Sequence, residues 1–138
     1  MEKVKKSEFS FEGLYIKESH IKRDIENSTG NFSFDIIPSG TIFNEKKEFI
    51  LNLVAELADE NNSFEAKIHA VATFRFNEVI SNDILENYFY INAPAIVFPY
   101  LRAYITSLTS LMGHTPVILP LLNMTNLKEN LKNNTITK

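Results

Sequence analysis

The sequence predicts an α+β domain in which four strands come first and helices follow. Two patterns lead there: apolar residues alternate with polar ones through the first half, and they switch to helical spacing in the second. A third observation sets the packing. Between Asn87 and Leu127 the only charged residue is Arg102, so this stretch is expected to lie against protein on more than one side.

Strand one is read from Phe9, Phe11, Gly13 and Tyr15, which alternate with Ser10, Glu12, Leu14 and Ile16. Strand two follows in Phe32, Phe34 and Ile36, separated by Ser33 and Asp35, and Pro38-Ser39-Gly40 is expected to end it. Phe49, Leu51, Leu53, Ala55 and Leu57 form a third row, Asp59-Glu60-Asn61-Asn62 turns the chain, and Phe64, Ala66, Ile68, Ala70, Ala72, Phe74 and Phe76 form a fourth. This is a hairpin. On its opposite face Ile50, Val54 and Val71 interrupt a polar set, so one face makes the core and the other stays partly apolar.

Ser81 or Asn82 can cap a short helix through Tyr90, and Pro94 opens a longer one that should stop at Gly113. Leu101, Ile105, Leu108 and Met112, with Tyr100, Tyr104 and Leu111, make a broad stripe along it. The other side carries Ala103, Thr106, Ser107 and Ser110, small residues where a solvated helix would carry Lys and Glu. The inference is a helix packed by its own sheet and by a second subunit. An extended segment from Val117 through Leu122 precedes a last helix, capped by Asn123 or Thr125, that contains Leu127 and Leu131. The domain spans 1–138, with residues 1–6 and 133–138 expected to fray.

Composition narrows function. The chain has 138 residues, a net charge of −3 and no cysteine, which excludes thiolate metal sites, disulfides and thiol nucleophiles. Basic residues do not cluster beyond pairs, which disfavours nucleic acid. Prolines at 94, 99, 116 and 120 interrupt the apolar stretch, which disfavours a membrane span. The N-terminus lacks an apolar signal segment, so a cytoplasmic chain is expected. His20, His69 and His114 have no metal-ligand spacing, Gly13, Gly30, Gly40 and Gly113 lie singly, and no nucleophile elbow occurs. Neither enzyme nor cofactor is expected. What remains is apolar surface: Leu14, Ile16, Ile21, Ile25, Ile50, Val54, Leu127 and Leu131 lie on the minority faces of their elements, which suggests a site for apolar segments.

The run from Pro94 to Leu108, Pro-Ala-Ile-Val-Phe-Pro-Tyr-Leu-Arg-Ala-Tyr-Ile-Thr-Ser-Leu, resembles the signature of the SecB protein-export chaperones. Pro116, Leu119, Pro120, Asn123 and Leu127 look like that family's extended link and second helix, and Leu14-Tyr15-Ile16-Lys17-Glu18 resembles its first strand. The resemblance implies a four-stranded antiparallel sheet followed by a long and a short helix, assembled as a dimer of dimers. It also implies an ATP-independent holdase that binds unfolded preproteins in apolar grooves and passes them to the SecA motor. On this resemblance Tyr100, Ala103, Tyr104, Thr106, Ser107 and Ser110 would form the tetramer interface, and Glu18, Glu56 and Glu65 would dock SecA. Lys22 and Lys67 stand where the family often has acids, and the 19–31 crossover offers Ile21 and Ile25 in place of aromatic residues. A chaperone dedicated to one partner, such as an antitoxin, would share these features. A small-ligand binding protein would instead show a closed pocket with convergent polar groups.

Overall fold

The computed structural model describes residues 9–24, 31–77, 82–113, 115–120 and 124–138. Strands β1 (Phe9–Arg23), β2 (Phe32–Phe43), β3 (Glu48–Asp59) and β4 (Phe64–Phe76) precede α1 (Asn82–Asn87), a π-helical turn (Tyr88–Asn92), α2 (Ala93–Leu111), α3 (Met124–Asn133) and β5 (Thr135–Thr137). The sheet order is β1-β4-β3-β2-β5. The four expected strands pair antiparallel, and β5 adds to β2 in parallel, so among the described residues the sheet is mixed and five-stranded rather than four-stranded and antiparallel.

The β3–β4 hairpin forms where alternation places it. Asp59 ties its turn, accepting hydrogen bonds from Ser63 N–H (2.6 Å), Phe64 N–H (3.2 Å) and the Ser63 hydroxyl. Asn62 takes the left-handed conformation, φ 54°, which asparagine tolerates.

Strand β2 does not end at Pro38-Ser39-Gly40 but runs to Phe43. Gly40 N–H points away from β3 and donates to Asn134 O. Pro38, two residues earlier, presents its nitrogen to the same outer side, so the β3 ladder loses no donor.

Helix α1 passes through the π turn directly into α2, with Ala93 N–H bonding to Tyr88 O at the wider spacing. Two separate helices were the expectation; the widened turn joins them. The far end behaves as expected: Gly113 adopts φ 85° just beyond the cap, and its N–H donates to Ser110 O.

All helices lie on one sheet face. Phe49, Leu51, Leu53 and Ala55 from β3 and Ile68, Ala72 and Phe74 from β4 meet Phe89, Ala93, Val97, Leu101, Ile105 and Leu119, all buried. Phe89 stacks on Phe49 with ring centroids 4.4 Å apart. Each such aromatic or leucine side chain contributes roughly 1.5–3 kcal/mol on burial. The C-terminus does not fray at 133–138: Lys138 N–H donates to Ile42 O (2.8 Å) and Asn44 N–H to Lys138 O (3.2 Å). Residues 1–6 lie outside the described residues.

Candidate functional site

Strand β1 changes face twice. Register shifts between Phe11 and Gly13 and between Ile16 and Glu18 each insert an unpaired residue, which reverses the inward parity. Phe11 faces inward opposite Phe74, then Leu14 and Ile16 opposite Ala72 and Ala70, then Ile21 opposite Ala66. Leu14, Ile16 and Ile21 therefore pack against the core, and Ile21 also borders the hollow at the charged end of the sheet. Tyr15, expected inside, is 58% exposed. Leu127 and Leu131 are likewise core residues, buried where α3 packs on β2 and the π turn, so the surface role expected for them is corrected. They are the apolar stripe of a helix whose other side carries Lys128 and Lys132, both bridged to Glu86. Ile25 lies outside the described residues.

Ile50 and Val54 do lie on the outer sheet face, half-buried. The register puts Ile37, Val54 and His69 in one cross-strand row and Asn52, Val71 and Tyr15 in the next. These rows make an apolar field to which sequence reasoning did not assign Ile37 or Tyr15. Both belong to strands whose alternation had already been spent on the inner face. His69 shares a 2.7 Å hydrogen bond with Asn52 Oδ1, and its pKa is lowered first by burial and then by Lys17.

Toward the other end the face becomes charged. Asp35, Glu56, Lys67 and His20 form one row, and Glu65 stands opposite Lys22 in the next. They border a hollow of about 580 Å³. Glu18 is adjacent, its Oε1 2.7 Å from His20 Nε2. The three expected docking acids, Glu18, Glu56 and Glu65, are thus exposed on one face, and each has a cationic or imidazole neighbour. Opposite signs across strands cancel much of the field that a docking partner would feel.

The second surface belongs to α2. Val97, Leu101 and Ile105 point inward, leaving Tyr100, Ala103, Ser107 and Ser110 exposed and Tyr104 and Thr106 half-buried. The segment after α2 is tied alongside it. Thr106 Oγ1 donates to Val117 O (3.0 Å), the buried Thr109 hydroxyl accepts Val117 N–H (2.8 Å) and donates to Ile105 O, and Arg23 donates to Thr115 O (2.6 Å). That holds Ile118 out, 59% exposed. Phe98, Arg102, Ala103, Ser107 and Ile118 border an open hollow of about 560 Å³. Its lining can take apolar groups by burial; it presents no converging set of polar groups.

Among the described residues no group of three or more His, Asp or Glu side chains could hold a metal, and no helix is long and apolar enough to cross a membrane.

Known proteins resemble the whole arrangement. The family model described as preprotein translocase subunit SecB matches residues 3–134. A stretch of 92 residues, 64% of this chain, is 32% identical to an uncharacterized protein of Methanocaldococcus jannaschii, and spans 59% of that relative's length. The SecB-like chaperone of Mycobacterium tuberculosis, solved in complex with a ChAD peptide from the HigA1 antitoxin, superposes with a TM-score of 0.63 at 13% identity, covering 83% of this chain and 91% of that one. At that identity the superposition speaks for the fold.

Proposed function

The chain belongs to the SecB family, and we propose that it is an ATP-independent holdase that keeps apolar segments of non-native polypeptides from collapsing or aggregating. The observation that carries this reading is the outer side of α2 with the segment beside it, where Tyr100, Ile118 and Leu111 are exposed and Arg102 is the only charge in 88–126. Apolar surface gathered in one place with so few charges marks a site where another chain binds. Two occupants fit it in turn. A second copy packing on Ala103, Ser107 and Ser110 gives the helix contact that, together with a second interface, joins dimers into the homotetramer, and client segments take the apolar margin at Ile118. Holding a client requires neither catalysis nor cofactor, because binding the unfolded chain opposes folding by mass action.

The test is refolding of a denatured, slow-folding protein with no nucleotide present. Stoichiometric amounts of the chain should retard it, and the double change Tyr100→Ser with Ile118→Ser should weaken the retardation while leaving the thermal melt largely intact. Unchanged refolding kinetics at tenfold excess of wild type would remove the reading.

The charged end of the sheet favours a second reading. With Lys67 beside Glu56 and Lys22 beside Glu65, the face is a poor match for a partner that requires continuous acidity. That favours a chaperone dedicated to one client over a general preprotein carrier that hands on to SecA in the cytoplasm; the M. tuberculosis neighbour is a SecB-like chaperone solved with an antitoxin peptide. Titration with SecA from the same organism separates them. Binding that strengthens with Lys67→Glu supports export, and no binding in either form supports the dedicated chaperone.

A further inference from the structure

Among the described residues, β5 is the strand that covers the outer edge of β2. The pairing of β2 with β3 turns the main-chain groups of its even-numbered residues outward. At the downstream end those groups are taken: Gly40 N–H donates to Asn134 O (3.2 Å), Lys138 N–H donates to Ile42 O (2.8 Å) and Asn44 N–H donates to Lys138 O (3.2 Å). The fit depends on glycine. A Cβ on Gly40 would stand 2.8 Å from the Phe49 ring and 3.0 Å from Thr135 Oγ1.

Upstream, among the described residues, no strand pairs with the outer edge from Phe32 to Pro38. The Phe34 ring there lies 6.4 Å from Phe98, which borders the α2 hollow. The edge thus adjoins the helix that carries the apolar surface, and part of the edge already holds an extended segment of this same chain.

That segment is short. Strand β5 has three residues, and its central side chain, Ile136, is 55% exposed. Its root is firmer: Asn134 N–H donates to Asn130 O and Leu131 O, and Thr135 Oγ1 donates to Leu131 O (2.6 Å). A firm root and a strand of three residues with its centre exposed describe an element that can leave the edge without disturbing α3.

We propose that β5 is a strap that occupies the β2 edge in cis and is displaced when an extended apolar segment of a client polypeptide adds to that edge. The proposal rests on the holdase reading above. An edge recognises main chain whatever the side chains are, which suits clients of varied sequence. When no client is bound, the strap shortens an edge that would otherwise pair with other chains. Client affinity is lowered by the fraction of time the strap is docked.

Thr41 and Ile136 are register partners on the outer face, and the chain has no cysteine of its own. Changing both to Cys gives a reversible lock, since paired strand positions fall within disulfide reach. Ile136→Pro does the opposite, removing the donor at the centre of β5 while leaving Leu131 and the core untouched. The probe is reduced, carboxymethylated α-lactalbumin, which stays unfolded, with binding read by fluorescence anisotropy. If the strap is docked about nine-tenths of the time, Ile136→Pro should bind roughly tenfold tighter than wild type, and the oxidised lock should bind several-fold weaker than the same protein reduced. Equal affinity in the oxidised and reduced forms, or an Ile136→Pro affinity equal to wild type, overturns the strap and leaves the holdase reading standing. Absence of binding by every form, wild type included, overturns both.

Discussion

The β3–β4 hairpin and strand β1 are neighbours in one sheet and follow different rules. From Phe49 to Leu57 and from Phe64 to Phe76, every second residue is inside without a break. In β1 the inward set is Phe9 and Phe11, then Leu14 and Ile16, then Ile21, so parity reverses at each bulge. Strand β3 pairs on both sides, and β4 is clamped between β3 and β1, so a slip in either would turn a whole row of core residues outward. Among the described residues, strand β1 pairs on one side only. An edge can absorb an extra residue locally, and in doing so it re-aims the side chains that follow.

The largest test of that contrast removes volume from the regular part. Phe74 is fully buried and meets the rings of Phe9, Phe11 and Phe49. Phe74→Ala should cost about 3–5 kcal/mol in urea unfolding, because a cavity walled by other rings collapses poorly.

The sharper test compares adjacent residues of β1. With the bulges, Leu14 faces the core and Tyr15 faces solvent. Leu14→Asp should therefore destabilise by roughly 2–3 kcal/mol through a desolvated carboxylate, whereas Tyr15→Asp should stay within about 0.5 kcal/mol of wild type. Unbroken alternation from Phe9 would give the reverse order, so the pair of midpoints decides between the two faces.

At the hairpin turn the effect is smaller. Asp59→Ala leaves the Ser63 and Phe64 N–H groups without their carboxylate, at an expected cost of roughly 1–2 kcal/mol. Asp59→Asn should recover part of it, since one amide oxygen can still accept.

These differences explain what could be read in advance. The hairpin, the four strands, the Gly113 stop and the family signature on α2 are local patterns, and they were legible. Leu14, Ile16 and Ile21 were misplaced because a bulge leaves no mark in the apolar pattern that precedes it. Leu127 and Leu131 were misplaced for another reason: a helix with two leucines four residues apart has an apolar stripe, and nothing local says whether a sheet or solvent lies against it. Strand β5 was invisible, since three residues carry no period and their partner is nearly a hundred positions away. On the outer face Ile50 and Val54 were found, while the field they form with Ile37, Val71 and Tyr15 exists only through register.

The smallest expected effect lies in that field and concerns pH. His69 sits in the row of Ile37 and Val54, hydrogen-bonded to Asn52. Burial lowers its pKa from the ordinary value of 6.5, Lys17 and Lys67 push the same way, and Glu18 opposes them. The unfolded chain then binds a proton on this ring at a higher pH than the folded one does. Stability contributed by the neutral ring is present above 6.5 and is lost as pH falls from there through the lowered folded value. Urea midpoints between pH 7.5 and 5.5 should therefore decline with acidification. In His69→Gln, which keeps a donor for Asn52 and has no proton to gain, that decline should be shallower. An identical slope in the two proteins would place the titration at another histidine and show that the apolar field leaves this ring as well hydrated as in the unfolded chain.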